Sequence, residues 1–174
     1  MRRHPDNGNG GFSLSELLIS AALLGILAAL SLGTGAELLA RQRVEASTRL
    51  LMEGIQKGRA EAERLGQACG LSLGEQGWQT PADGALPPCR GALNDLAENQ
   101  RGTGVQWTSN FPATLRFTSN GLVIDGGTAV VWGRGTDLQR CVVMALPLGV
   151  LRLGRYGGDP MGTDSTTCRR EELS

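Results

Sequence analysis

The chain changes its hydrophobic rhythm twice. From Phe12 to Leu32 it reads FSLSELLISAALLGILAALSL, 21 positions with a single charge, Glu16. Wound as a helix at about 1.5 Å per residue, this run reaches about 31 Å, the thickness of a bilayer's hydrocarbon core. From Ala36 to Leu65 the apolar positions recur every three or four residues, at Ala40, Val44, Thr48, Leu51, Ile55, Gly58, Ala62 and Leu65, while Arg41, Glu45, Arg49, Glu53 and Glu61 are polar. That spacing predicts an amphipathic continuation of the same helix. Glu45–Arg49 and Glu53–Lys57 are expected i,i+4 pairs in the favourable order. Gly66 and Gly70 are expected to close the helix.

Beyond Gly66 the period falls to two. Ala68–Leu73 and the residues around Trp78 read as a hairpin turned by Gly74 to Gly77. Thr80 to Asn99 is a Pro/Gly/Asp-rich loop, or a short helix at Ala92–Glu98. Alternation returns at Val105–Thr108, Ala113–Thr118, Leu122–Ile124, Ala129–Val131, Cys141–Ala145 and Val150–Leu153. Asn120-Gly121, Gly126-Gly127, Gly133 to Asp137 and Pro147 to Gly149 supply turn chemistry between them. One long helix followed by strands predicts an α+β fold, with antiparallel strands laid over the helix's C-terminal half.

Composition narrows the function. The 174 residues are 40% hydrophobic but 4% aromatic, enough for one aliphatic core. His4 is the only histidine and lies in the first few residues. Histidine-based hydrolysis and histidine metal sites are thereby excluded from the body of the protein. No catalytic constellation or cofactor motif is recognised, so the reading is non-enzymatic. Lys+Arg and Asp+Glu both number 17, leaving no net field to draw the whole molecule onto nucleic acid. The cysteines Cys69, Cys89, Cys141 and Cys168 form no C-x-x-C pair, which argues against a metal site. On an oxidising side of a membrane they read as disulfides. Of the three possible pairings, Cys69–Cys89 and Cys141–Cys168 each close one local loop; buried free thiols are the alternative.

Arg2 and Arg3 precede the apolar run and would hold that end in the cytoplasm. A secretory signal peptide and a plain single-span anchor are rival readings. Glu16 bears on the choice, because a charge in an apolar span is costly and generally has a partner. Either it serves as a first-turn helix acid that snorkels to the interface, or it meets a cation inside an assembly.

At these residues a resemblance emerges. Gly11-Phe12-Ser13-Leu14-Ser15-Glu16 followed by Leu17-Leu18-Ile19 resembles the processing site of type IV prepilins and type II secretion pseudopilins. The resemblance implies a leader at 1–11, removed between Gly11 and Phe12 by an inner-membrane prepilin peptidase that methylates the new amine. It implies a transmembrane and assembly helix at 12–35, with Glu16 neutralised by an N-terminal amine in a filament of stacked helices. An amphipathic continuation at 36–66 and a β domain with a polar tail at 67–174 complete the plan. The implied partners are other pilins or pseudopilins and an inner-membrane assembly platform. The implied location is a single-pass inner-membrane protein, N-terminus cytoplasmic and β domain outside, later drawn into the filament. Many pilins carry proline at the twenty-second mature residue, where this chain has Gly33, which also loosens a helix.

Gly58-Arg59-Ala60-Glu61-Ala62, Cys69-Gly70-Leu71, Trp78 and Leu115-Arg116-Phe117-Thr118-Ser119-Asn120-Gly121 are similar to the GspH/FimT group within that superfamily. Some FimT-like minor pilins end in a glycine–arginine–x–arginine motif implicated in DNA binding. The matching stretch here, Gly149-Val150-Leu151-Arg152, lacks the first arginine. The alternative function is therefore a DNA-binding minor pilin, with Arg140, Arg152 and Arg155 as candidate contacts.

Overall fold

The computed structural model describes residues 13–96, 104–146 and 149–170; the side chains of 29–34 and 95 are not described. One helix, α1 (Leu14–Leu65), is followed by nine strands: β1 (Cys69–Gly74), β2 (Gly77–Gln79), β3 (Asn94–Asp95), β4 (Val105–Ser109), β5 (Leu115–Phe117), β6 (Gly127–Gly133), β7 (Gln139–Ala145), β8 (Val150–Tyr156) and β9 (Cys168–Arg169). The chain divides into two units, one ending at Ala36 and the other starting at Glu37.

Both ends of α1 follow from local chemistry. Ser13-Leu14-Ser15-Glu16 has the pattern of a capping box. The Ser13 hydroxyl accepts the Glu16 N–H at 3.3 Å, and the Ser13 carbonyl accepts the Leu17 N–H at 3.1 Å. At the other end Gly66 has φ +61°, a left-handed conformation that costs glycine little. Gln67 N–H reaches the Ala62 carbonyl and Gly66 N–H the Glu63 carbonyl, the two bonds of a Schellman termination. Gly70, expected to help close the helix, instead lies within β1.

In the second unit the strands form two antiparallel sheets, ordered β3-β2-β1-β5 and β4-β6-β7-β8-β9. Ala40, Val44, Thr48, Leu51, Ile55 and Ala62 of α1 are buried, as the spacing predicted; Leu65 is 53% exposed, beyond the reach of the sheets. Val44, Leu51, Ile55 and Ala62 share one core with Leu71, Trp78, Leu115 and Phe117 of the first sheet and Val105, Ala129, Val131, Val142 and Met144 of the second. Close approach at this seam depends on glycine. A Cβ on Gly54 would overlap Trp78 Cδ1, and one on Gly58 would lie 2.8 Å from Phe117 Cε2. The indole of Trp78 is tied down by a 2.9 Å bond from Nε1 to the Leu51 carbonyl.

The second sheet has another apolar face. Val130, Cys141, Val143, Tyr156 and Cys168 form a separate small cluster there, with Trp132 against it. The C-terminal segment reaches this face: Asn110 Nδ2 donates to the Thr163 carbonyl at 3.5 Å, and Asp164 N–H donates to the Tyr156 hydroxyl at 3.2 Å. Two disulfides, Cys69–Cys89 and Cys141–Cys168, staple the unit.

Three further expectations, all in the strand region, differ from the structure. Of the two readings of the Pro/Gly/Asp-rich stretch, loop or short helix at Ala92–Glu98, the helix is not formed in its described part, residues 92–96. One 3₁₀ turn at Arg90–Ala92 is followed by β3, and residues 97–98 lie outside the described residues. The Cys69–Cys89 bridge fixes the start of this segment, and Asn94 Nδ2 donates to the Leu50 carbonyl at 3.1 Å, holding it extended against α1. Leu122–Ile124 makes only a single bridge, Phe117 to Val123, and Gly127 opens β6 instead of completing a turn.

Candidate assembly helix and the surface of the β domain

The described part of the first unit, taken by itself, is a helix whose large side chains are all outward. Leu14 is 81% and Leu24 67% exposed, and Leu17, Leu18, Ile19, Leu23 and Ile26 are likewise exposed. A helix apolar on every side needs lipid or other helices around it. Glu16 sits in its first turn, where the backbone dipole favours a carboxylate. Among the described residues no helix is long and apolar enough to cross a membrane. The expected span from Phe12 to Leu32 extends beyond them, since Phe12 and the side chains of 29–34 lie outside the described set. The expected processing residues Gly11 and Phe12 lie outside it too.

In the second unit, the stretch singled out in the sequence at Gly58–Ala62 organises packing. Gly58 admits the Phe117 ring, and Ala62 is fully buried. Arg59 donates from Nε to the Gly121 carbonyl at 3.0 Å and from Nη1 to the Gly149 carbonyl at 3.1 Å, tying two loops to α1. Glu61 accepts the Gly91 N–H at 2.7 Å, holding the 3₁₀ turn. Four of the five residues thus position the β elements on the helix.

The candidate DNA contacts do not gather. Arg140, expected at the surface, is buried, with its guanidinium on the Glu45 carboxylate. Glu45 was expected to pair with Arg49; the inward-facing arginine of β7 takes it instead. The register pairs Arg140 with Arg155 and Val143 with Arg152. Because side chains alternate along a strand, Arg155 lies on the α1 side of the sheet with Val142 and Met144, whereas Arg152 lies on the other side with Val143. Arg152 is exposed, and Arg155 approaches Asp137 at 3.6 Å. Asp137 also accepts from Arg41 at 3.3 Å, and Arg41 from the same helix pairs with Glu37 at 3.2 Å. Glu53 and Lys57 pair at 2.7 Å, as their spacing predicted.

Two carboxyls outside these contacts have shifted acidities. The Arg116 guanidinium, bonded to the two Asp125 oxygens at 2.9 and 2.7 Å, holds the Asp125 carboxyl below its ordinary range and raises its own pKa. The Thr166 N–H and hydroxyl, both at 2.9 Å from Asp164 Oδ1, lower the Asp164 carboxyl. Among the described residues no three His, Cys, Asp or Glu side chains cluster as a metal site.

A helix with one acid in an otherwise apolar first half, its second half overlaid by antiparallel sheets, defines a pilin-like α+β protein. The prokaryotic N-terminal methylation motif matches residues 6–32, and the family model of type II transport protein GspH matches residues 47–147, more than half of the chain. The chain belongs to the GspH family, and is a minor pseudopilin of the GspH/FimT group. No curated protein and no solved structure matches it. The matched families are structural components that associate in filaments with other pilins and pseudopilins.

Proposed function

We propose that the chain is made as a prepilin whose leader, residues 1–11, is removed between Gly11 and Phe12, with methylation of the Phe12 amine by a prepilin peptidase. Residues 12–35 then hold it in the inner membrane, N-terminus inward, with the β domain outside. An assembly platform lifts it into a filament in which the 12–35 helices of neighbouring subunits pack together. Glu16 is neutralised there by an N-terminal amine, because bringing two opposite charges into an apolar bundle together costs far less than burying either alone. Residues 36–66 and 67–174 form the part displayed on the filament.

The observation that carries this reading is the outward apolar surface of the helix around Glu16, with Leu14, Leu17, Leu18, Ile19, Leu23 and Leu24 all exposed. The test is incorporation. Glu16→Ala is expected to reach the membrane at the wild-type level and to be missing from filaments sheared from the cells. Wild-type incorporation of Glu16→Ala would overturn the proposal.

A further inference from the structure

Among the described residues the two sheets present four edges, and three of them are short or covered. β3 and β9 are two residues long, and β5 is three. The outer side of β5 is taken by the Phe117–Val123 bridge and by the Ile124 N–H on the Arg116 carbonyl at 3.3 Å. β4 differs, since its five residues include no charge, proline or glycine. Natural sheets blunt exposed edges with such residues or with cover, because an open edge is a template for another strand.

The pairing fixes which backbone groups of β4 face outward. Asn110 N–H donates to the Thr128 carbonyl and Arg134 N–H to the Gly104 carbonyl, both at 3.1 Å. In an antiparallel ladder hydrogen-bonded pairs alternate with open ones, so Gln106 and Thr108 bond to β6 through Trp132 and Val130. The N–H and C=O groups of Val105, Trp107 and Ser109 therefore turn away from β6, and they have no partner among the described residues. Trp107 and Ser109 line a groove of about 460 Å³ between β4 and the β1–β2 turn at Leu73, Gly74 and Glu75. Leu73 and Trp107 are half-buried against the core. Glu75 is exposed and has no cation partner among the described residues.

The chemistry of these groups specifies an occupant. Unpaired donors and acceptors in a row at strand spacing are met by a second extended backbone. The apolar walls suit an aliphatic side chain, and the lone carboxylate suits a cation. A second copy of β4 brings no cation, since residues 104–111 contain no lysine or arginine. We infer that the β4 edge takes an extended segment of a different protein chain as a sixth strand of its sheet. That segment sets an aliphatic side chain against Trp107 and Leu73 and a lysine or arginine at Glu75. The surface lies wholly within the β-bearing unit, independent of how the apolar helix is processed or packed.

The test uses the full chain in detergent micelles and short peptides of alternating valine and threonine, ended by lysine or by glutamate. Amide hydrogen exchange is followed residue by residue by NMR. The lysine-ended peptide is expected to slow exchange at Trp107 and Ser109 about tenfold at saturation, while Gln106 and Thr108, already bonded to β6, change little. The glutamate-ended peptide should bind about threefold more weakly, and Glu75→Gln should remove that preference. A lysine-ended peptide methylated at every interior amide should give no protection, because it cannot pair as a strand. Absence of protection at millimolar lysine-ended peptide, or equal protection by its methylated form, would overturn the inference. Equal affinity of the lysine-ended and glutamate-ended peptides would overturn it as well. So would slow exchange at Trp107 and Ser109 in the free chain. If independent of concentration, that result would assign the edge to a segment of the same chain; if dependent on it, to a second copy.

Discussion

The Arg140 guanidinium rests on the Glu45 carboxylate, linking β7 to α1 across 95 residues of sequence. The pair is asymmetric in its surroundings: the Arg140 side chain is 10% exposed and that of Glu45 27%. Removing one partner leaves the other partly desolvated with this ion pair lost. Glu45→Gln is expected to destabilise the β-bearing unit by about 2 kcal/mol, less than the ~3–5 kcal/mol typical of fully buried pairs. Arg140→Met is expected to cost less, because Glu45 retains solvent. In a double-mutant cycle read by urea unfolding, the double variant should be more stable than the sum of the two single losses implies.

Gly54 tests the seam between helix and sheet. Alanine is the better helix former by about 1 kcal/mol, so Gly54→Ala would stabilise a helix that packed against nothing. Here its Cβ meets the Trp78 indole, which is fixed by its bond to the Leu51 carbonyl. The expected net effect is a loss of about 1–2 kcal/mol from overpacking. Gly35→Ala, whose Cβ would meet nothing within 4 Å, is the control expected to cause no loss. Thermal unfolding of both variants makes the comparison.

Asp125 sets an acid limb on stability. Its carboxyl is more acidic folded than unfolded, chiefly through the hydrogen bonds from the Arg116 side chain. The folded state therefore holds fewer protons than the unfolded state in moderately acidic solution. This contribution is complete above the ordinary carboxylate range and is lost as the pH falls through the lowered folded value. Arg116→Met should flatten the decline of the urea midpoint over roughly pH 2 to 5, with little change in its shape above pH 6. An unchanged acid limb would show that other groups set it.

Much of this architecture was legible along the chain because it rests on local or periodic signals. The unbroken apolar run after Glu16, the stripe from Ala40 to Ala62 and the glycine after Leu65 mark the helix, and two-residue alternation marks β4, β7 and β8. Partner choice was not legible. Glu45 has Arg49 one turn away in sequence, and only the register of β7 puts Arg140 closer to it. The brief β9 was hidden because two residues carry no period; it is placed by the Cys141–Cys168 bridge and its pairing with β8. That the candidate DNA contacts lie on both faces of the sheet was not legible for a related reason. Arg152 and Arg155 are three apart, and an odd spacing on a strand sends side chains to opposite faces. Arg59 was noticed in its motif, but its two carbonyl partners lie on loops that the sequence does not bring together.

The central claim is that Phe12 becomes a methylated N-terminus placed to neutralise an acid four residues on. Intact-mass analysis of the chain isolated from cells with and without prepilin peptidase tests it most directly. The account predicts that peptidase-positive cells yield a chain lacking residues 1–11 and carrying one added methyl group, and that peptidase-negative cells yield the full 174-residue chain. The same unprocessed mass from both would contradict it.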